Sequence, residues 1–172
     1  DYFVPSEVKE TTFFPEGYVA LVIGASYATK KLPLESLKVL CAQIPHPIVL
    51  VGGKEEKTDG DALALGDPSR IVNTCGAYSL HESALMVAKA RVVISHDTGM
   101  LYIACAFEKN VIAIWGATSP ALQVEPLMPS DSKAHVFQSI VPNLSCQPCS
   151  NFGTKTCPKG HFACMKKQDL PE

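Results

Sequence analysis

The chain has 172 residues, a length that fits one domain or one domain with a small appendage. Hydrophobic residues make up 47% of the sequence and charged residues 19%, which predicts a folded chain rather than a disordered one. With a net charge of −2, the chain does not create the positive field that nucleic-acid binding requires, which argues against a nucleic-acid partner. The longest apolar runs fall far short of the ~20 residues of a membrane-spanning helix.

The N-terminal segment, residues 1–17, shows no clear periodicity and contains two prolines and two adjacent phenylalanines. We predict that it is an irregular linker segment. Because the sequence starts at Asp1 and not at methionine, we expect the linker to continue from a preceding part of a longer protein.

Strands and helices are predicted to alternate after this linker. Short, almost continuously apolar segments rich in β-branched residues predict strands that are covered on both faces. Between them, apolar residues recur at helical spacing from Leu34 to Ile44, with Pro33 suited to the first turn and Pro45 to a stop. A weakly patterned helix is predicted over Glu55–Leu65. The strands predicted in this part are Tyr18–Gly24, Ile48–Gly52 and Arg70–Thr74.

The alternation continues in the second half. A capping box of Ser79 and Glu82 opens a helix from Leu80 to Ala88, and Leu80 is predicted to lie on its buried stripe. The segment Thr98–Phe107 is apolar nearly all round, so we expect a helix buried against the sheet. Residues 119–133 predict a long loop. The strands predicted here are Arg91–Ser95, Val111–Gly116 and, at the sheet edge, His135–Ile140.

This order of elements predicts the α/β fold class, with a doubly wound, mostly parallel open sheet and right-handed crossovers, which is a Rossmann-like domain. We assign that domain to residues 18–141. It follows the linker of residues 1–17 and precedes a cysteine-rich C-terminal tail of residues 142–172.

The seven cysteines fall into two groups. Three lie singly within apolar segments, where free thiols behave as small core residues: Cys41, Cys75 and Cys105. The other four crowd into the tail with the spacing C-x2-C-x7-C-x6-C: Cys146, Cys149, Cys157 and Cys164. Four thiolates of this kind suit a structural zinc ion, and two disulfides or free thiols are the alternatives.

The loop Asp97-Thr98-Gly99 is the most informative candidate binding site. Ligands of open α/β sheets bind beyond the carboxyl ends of the strands, and this loop follows a buried strand and opens a buried helix. The free N–H groups of the first helical turn and the helix dipole suit a phosphate or pyrophosphate. The alternative is that Asp97 or Thr98 merely caps the helix. Glycine-bearing loops on the same rim favour the anion site.

Three further side chains are predicted on that rim. Lys30 is placed to neutralise phosphate charge, with Ser26 donating a hydrogen bond, but Lys30 could equally be a solvated surface residue, and Lys31 lies beside it. Tyr78 could lie flat against a purine base or could be a partly buried rim aromatic. The sequence lacks the G-x-G-x-x-G fingerprint, the lysine loop of nucleoside triphosphatases, a serine nucleophile elbow and an HExxH helix, which argues against those enzyme classes.

Four segments together carry a family resemblance. They read VALVIGASYATKKLP, IVLVGGKEE, VVISHDTGMLYIACAFEKNVIAIWGATSP and CQPC…CPKGHFACM, and they extend from about Val19 to about Met165. The most specific are the D-T-G loop with its apolar helix and GATSP, which is similar to G-P-T-x-P. Together they resemble the carboxyl-terminal half of the ADP-heptose:lipopolysaccharide heptosyltransferases, glycosyltransferases with the GT-B fold.

The resemblance implies the donor-binding half of an inverting glycosyltransferase that moves a heptose or related sugar from an ADP-sugar to a lipopolysaccharide core acceptor. Lys30 would stabilise the leaving group, while an absent N-terminal domain would bind the lipid-linked acceptor and supply the general base, so we expect this fragment alone to be inactive. The donor-binding residues that it implies are Ser26, Lys30, Gly53, Tyr78, Asp97, Thr98, Gly99 and Met100.

Catalysis of this kind needs no cofactor, and zinc in the tail would be structural. The resemblance also implies a bacterial cytoplasmic enzyme at the cytoplasmic face of the inner membrane, with peripheral membrane association of the full-length protein. Two positions depart from the family pattern: Tyr102 stands where D-[ST]-G-x-x-H has histidine, and Leu32 stands where tryptophan precedes the proline. The alternatives are a non-catalytic nucleotide-binding module and a sugar-nucleotide epimerase-like GT-B domain.

Overall fold

The computed structural model describes residues 2–169. Residue 1 of the predicted linker and residues 170–172 of the predicted tail lie outside the described residues. The strands are β1 (Val19–Val22), β2 (Ile48–Val51), β3 (Ile71–Asn73), β4 (Val92–His96), β5 (Asn110–Ile114) and β6 (Val136–Ser139). They form one parallel sheet in the order β3-β2-β1-β4-β5-β6, with the predicted β6 at an edge.

Helices connect most of these strands. They are α1 (Leu34–Gln43), α2 (Lys57–Gly66), α3 (Leu80–Lys89), α4 (Gly99–Ala106) and α5 (Ala163–Lys166), and short 3-10 turns cover Ala28–Lys30, Lys54–Glu56 and Pro120–Leu122. The predicted α/β class with a doubly wound, parallel open sheet is confirmed. In residues 2–169, no helix combines the length and the apolar character that crossing a bilayer needs.

The sheet is covered on both faces, as its β-branched strands predict. Alternate strand residues face opposite sides, so Ala20 and Val22 pack with α3 and α4, while Val19 and Leu21 pack with α1, α2 and α5. Trp115, directly after β5, is wholly buried on the first side. Because both faces are occupied by helices, the polar loops at the carboxyl ends of the strands are the surface left for ligand binding.

One expectation about the elements is wrong. Leu80 is 60% exposed, because the buried face of α3 is formed by later residues, among them Ala84 and Val87. The connection from β5 to β6 is irregular chain with one 3-10 turn, which agrees with the long loop predicted for residues 119–133. The capping box is confirmed: Ser79 Oγ accepts a hydrogen bond from Glu82 N–H at 3.3 Å, and Glu82 Oε2 accepts one from Ser79 N–H at 2.7 Å.

Both ends of the described chain pack onto the α/β unit. Tyr2 and Phe13 of the predicted linker contact the core beside α3 and α4, and Tyr2 hydroxyl lies 3.0 Å from His81 Nδ1. Within the tail, Cys164 and Met165 of α5 are buried in the core beside α1. The tail is therefore packed against the same hydrophobic core as the sheet.

Candidate functional site

A cleft of about 620 Å³ lies at the carboxyl ends of β1 and β2, bounded by the loops after β3 and β4. The chain order reverses between β1 and β4, which is the point where open α/β sheets bind ligands. The volume is in the usual range for small-molecule sites. Five of the predicted donor-binding residues line the cleft together: Ser26, Gly53, Tyr78, Thr98 and Met100.

The described residues that line the cleft do not include Lys30, Asp97 or Gly99. Lys30 and Asp97 form an ion pair, with Nζ 2.8 Å from Oδ2 and side chains only 13% and 9% exposed. Gly99 is the exposed first residue of α4, and a Cβ atom there would meet nothing within 4 Å. The space beside Gly99 is therefore open to a ligand.

Asp97 is bonded mainly through one carboxylate oxygen, Oδ2. Besides Lys30, Oδ2 accepts a hydrogen bond from the buried Thr118 hydroxyl at 2.8 Å. Oδ1 lies 3.4 Å from the Tyr102 hydroxyl, which donates more closely to Val124 O at 2.7 Å. Burial, with the Asp97 charge, raises the pKa of Tyr102 to about 12, so this phenol remains a donor. The carboxylate is thus placed to orient Lys30.

Thr98 is the N-cap of α4, and its hydroxyl accepts a hydrogen bond from Met100 N–H at 3.2 Å. The capping role weighed in the sequence is therefore present, and Thr98 lines the cleft as well. Tyr78 is a half-buried rim aromatic, with its ring 6.2 Å from that of Phe13, and it lines the cleft. Its contact with a purine base stays a prediction.

Glu56 is a cleft residue that the sequence reasoning missed. Its carboxylate is 9% exposed, lies 2.6 Å from Lys31 Nζ through Oε1, and accepts the Gly53 N–H at 2.9 Å through Oε2. A Cβ atom on Gly24 would come within 3.1 Å of Oε2, so glycine lets the first loop approach this carboxylate. The signal in the sequence was an acidic residue at the start of the helix that follows Gly52-Gly53.

The two adjacent lysines, Lys30 and Lys31, form ion pairs with different carboxylates. Lys30 is paired with Asp97 at the start of α4, whereas Lys31 is paired with Glu56 in the loop after β2. Sequence alone could not distinguish them, because both partners are distant along the chain. The structure places Lys30 next to the predicted phosphate-binding turn.

His96 holds the end of the loop that carries these lysines. The side chain is buried, and Nε2 accepts a hydrogen bond from Leu32 N–H at 3.0 Å. Burial, with smaller contributions from Lys31 and Lys30, lowers the pKa of His96 to about 4, although the Gly24 backbone opposes the shift. Within residues 2–169, Nδ1 has no partner at hydrogen-bonding geometry. His96 is therefore neutral near pH 7.

The three isolated cysteines are buried, as predicted. Burial raises the pKa of Cys41 and Cys105 to about 11 and that of Cys75 to about 12, so these thiols stay protonated. They are core residues.

The four tail cysteines are free thiols. Cys146 Sγ lies 3.9 Å from His161 Nε2. Slight burial acts against ionisation of Cys157, but hydrogen bonds from the backbone at residues 159–162 lower the pKa of its thiol overall. Across residues 2–169, no three cysteine, histidine or acidic side chains are arranged to hold a metal ion. Zinc binding by the tail remains a prediction.

The chain is similar to known proteins both in sequence and in fold. The family model described as glycosyltransferase family 9 (heptosyltransferase) matches residues 4–151. Lipooligosaccharide heptosyltransferase 2 of Haemophilus influenzae is 28% identical over 99 residues, which are 55% of this chain and 28% of that protein.

Two solved structures from Escherichia coli are similar to the chain. Heptosyltransferase WaaC with ADP has 25% sequence identity and a TM-score of 0.59 over 71% of this chain and 38% of that one. ADP-heptose lps heptosyltransferase II shares the fold, with 19% identity and a TM-score of 0.61 over 73% of this chain and 39% of that one. The matches span less than half the length of each of these proteins.

Proposed function

The chain belongs to glycosyltransferase family 9, the heptosyltransferases, and from this membership we propose that it is the donor-binding half of an inverting enzyme. The reaction is transfer of a heptose or related sugar from an ADP-sugar to a saccharide acceptor of the lipopolysaccharide core. The observation that carries the proposal is the cleft at the β1/β4 switch point, where Ser26, Gly53, Tyr78, Thr98 and Met100 converge. The solved relative WaaC holds ADP.

The nucleoside end of the donor lies against the apolar part of the cleft. Tyr78, Met100 and the exposed Leu80 line this part, and a flat base covering them would remove apolar surface from water. The Glu56 carboxylate offers acceptors for sugar hydroxyl groups at the same cleft.

The phosphate end lies at the N-terminus of α4. Ser26 and the N–H of Gly99, the first residue of the helix, supply hydrogen bonds, and Lys30 supplies positive charge. We assign Asp97 the role of holding Lys30, because a carboxylate in direct contact with phosphate oxygens would repel them. Gly99 leaves room for the phosphates to approach the helix.

In the proposed reaction, a lone pair of the acceptor hydroxyl forms the new bond to the anomeric carbon. The bond from that carbon to the β-phosphate oxygen breaks, and its electron pair leaves with ADP. Lys30 and the start of α4 stabilise the charge that develops on the departing diphosphate, an effect for which one donor is typically worth ~3–4 kcal/mol. The proton passes to a general base of the other half of the protein, which also binds the lipid-linked acceptor at the cytoplasmic face of the inner membrane.

Calorimetric titration of the 172-residue chain with ADP, UDP and GDP tests the site. We expect ADP to bind best, and Lys30→Ala to weaken ADP binding by about tenfold, because hydrogen bonds to charged groups contribute roughly 1.5–3 kcal/mol. Lys38→Ala is the matched control, since Lys38 pairs with Glu35 on the exposed side of α1. A folded chain that binds none of the three nucleotides would overturn the proposal.

We also propose that the tail cysteines bind a structural zinc ion, for which their number and spacing are suited. The thiols would have to come closer together than they are here, because no ligand set is assembled within residues 2–169. Metal analysis of protein purified without chelator is expected to find one zinc per chain. Four titratable tail thiols with no bound metal would remove this proposal.

A further inference from the structure

We infer that the cysteine-rich tail is a positioning element for Lys30, and that Gly153 and Thr154 are the residues through which it acts. The inference rests on the proposed function, in which Lys30 faces the donor phosphates. Lys30 ends the 3-10 turn Ala28–Lys30, which makes only one turn and lies outside the α-helices. Something else must hold this loop if Lys30 is to be in place before the donor binds.

The first contact is a set of hydrogen bonds between the turn and the tail. Thr29, which is 3% exposed, donates from Oγ1 to Thr154 O at 2.9 Å and accepts from Thr154 N–H at 2.7 Å. Its own N–H donates to the same carbonyl at 3.2 Å. The residue directly before Lys30 is thus joined to a residue 125 positions away, and its hydroxyl is satisfied in both directions.

The second contact is direct packing on Lys30. Gly153 lies so close to the turn that a Cβ atom on it would be 2.9 Å from Lys30 Cδ and 2.8 Å from Tyr27 Cβ. Gly153 also has φ +101°, a conformation that favours glycine. The tail backbone therefore lies against the methylene chain of Lys30 and limits the rotamers that the side chain can adopt.

The third set of contacts fixes the tail itself to the end of β5. Cys149 N–H donates to Ala117 O at 2.9 Å, and Ala117 N–H donates to Thr29 O at 3.0 Å. Gln147 Nε2 donates to carbonyl oxygens in the same stretch, including those of Trp115 at 3.1 Å and Thr118 at 3.2 Å. The tail therefore touches the loop of Lys30 and also the loop whose Thr118 hydroxyl binds Asp97.

The tail therefore contacts both the loop that carries Lys30 and the loop whose Thr118 binds Asp97, so one segment supports both partners of the ion pair. A lysine side chain loses rotamer freedom when it binds phosphate, and prior confinement by the tail reduces that loss. The prediction is specific to the phosphates: loosening the tail should weaken binding of a diphosphate and leave binding of the nucleoside unchanged.

The experiment compares two variants that loosen Lys30 from different sides. Gly153→Ala inserts a methyl group against the Lys30 chain, and Thr29→Val removes the hydroxyl that bridges to Thr154. The control for the backbone is Gly160→Ala, because Gly160 has φ +72° in the same tail and its Cβ would meet nothing within 4 Å. Thr29→Ser keeps the hydroxyl and is the rescue variant.

The first measurement does not depend on nucleotide. The 172-residue chain is treated briefly with an acetylating reagent, and labelling of Lys30 is quantified by mass spectrometry relative to Lys38. We expect Lys30 labelling to rise about fivefold in Gly153→Ala and Thr29→Val, in keeping with the loss of one net hydrogen bond. Gly160→Ala and Thr29→Ser should label as the wild type does. Equal labelling in all five proteins would overturn the inference.

The second measurement separates this inference from the proposed function. Affinities for ADP and adenosine are measured for the same proteins and for Lys30→Ala. We expect Gly153→Ala and Thr29→Val to lose about fivefold in ADP affinity and none in adenosine affinity. If Lys30 labelling rises but Lys30→Ala binds ADP normally, positioning of Lys30 by the tail stands and its phosphate role fails. If Lys30→Ala weakens ADP binding and the two tail-contact variants do not, the inference fails and the proposed function stands.

Discussion

His96 links the protonation of one buried side chain to the geometry of the lysine-bearing loop. Its neutral Nε2 accepts the Leu32 N–H, and a protonated imidazole could no longer accept that bond. Protonation would also put a third positive charge near Lys30 and Lys31, both of which already lower the pKa of this group. The arrangement of the loop therefore depends on His96 remaining neutral.

This gives a prediction for stability against pH. Because burial lowers the pKa of His96 from 6.5 to about 4, the unfolded chain binds the proton more readily than the folded chain between these values. The contribution of neutral His96 is fully present above pH 6.5 and is lost as the pH falls toward 4, up to about 3 kcal/mol at 1.36 kcal/mol per pKa unit. Urea denaturation at a series of pH values measures it.

His96→Gln should flatten this part of the pH profile, because glutamine keeps an acceptor and does not titrate. His135→Asn is the control, since His135 is exposed, and it should retain the wild-type slope. A slope below pH 6.5 that is the same in His96→Gln and the wild type would show that other groups cause it.

For single residues, the sequence could indicate which residue types form the site, but it could not decide which of two adjacent lysines takes part. The Asp97-Thr98-Gly99 loop, Ser26 and Tyr78 were recognisable because each follows a predicted strand, and all strand ends of a parallel sheet meet at one rim. The separate roles of Lys30 and Lys31 were not accessible, since their partners Asp97 and Glu56 are brought close only by the fold.

Among the elements, the strands were the most predictable. Their β-branched, continuous apolar runs reflect burial on both faces, which is a local property of each segment. Helix α3 shows the limit: its periodicity included Leu80, but Leu80 lies in the first turn, at the rim, where no other element within residues 2–169 covers it and it is 60% exposed. Coverage depends on neighbouring elements, so a pattern within one helix cannot reveal it.

The buried Leu101 of α4 and the exposed Leu80 of α3 should therefore respond differently to truncation. Leu101→Ala in α4 removes a fully buried side chain and should lower the free energy of unfolding by about 2–5 kcal/mol. Leu80→Ala removes an exposed one and should change stability by less than about 0.5 kcal/mol. Chemical denaturation gives both values.

Leu80→Ala should nevertheless weaken adenosine binding, because Leu80 lines the cleft. Leu65→Ala is the matched control, since Leu65 is 81% exposed on α2 and away from the cleft residues, and it should change neither property. If Leu80→Ala destabilised the fold as much as Leu101→Ala, the description of Leu80 as an exposed wall of the cleft would be wrong.

For the molecule as a whole, the order of strands decides where binding can occur. The chain builds β1 to β3 in one direction and then returns to place β4 beside β1, which separates the loops after these two strands and opens the cleft. The doubly wound, parallel class followed from the alternation of strand and helix in the sequence, but the order of the strands is seen only in the structure. The docking of the tail was not predictable from the sequence, because its contacts with Thr29 join residues far apart in the chain and its contacts with Ala117 use backbone groups that carry no sequence signal.

The molecule should bind a donor without completing the reaction. We expect the 172-residue chain, supplied with ADP-heptose and a lipopolysaccharide-core acceptor, to release no ADP above the rate without protein, because the proposed general base belongs to the other half. An assay for released ADP measures this, and the full-length protein is the positive control. Turnover by the 172-residue chain alone would place the base within it.

Trp115 makes the attachment of the tail visible in solution. It is the only tryptophan of the sequence. Its carbonyl oxygen accepts hydrogen bonds from Gln147, near the start of the tail, and from Gln168, near its end. Its indole N–H is bonded to Gln138 of β6, next to Ser139, whose hydroxyl donates to Gln168. Release of the tail would rearrange these dipoles around a single chromophore, so the intrinsic fluorescence of the unlabelled protein should report that release directly.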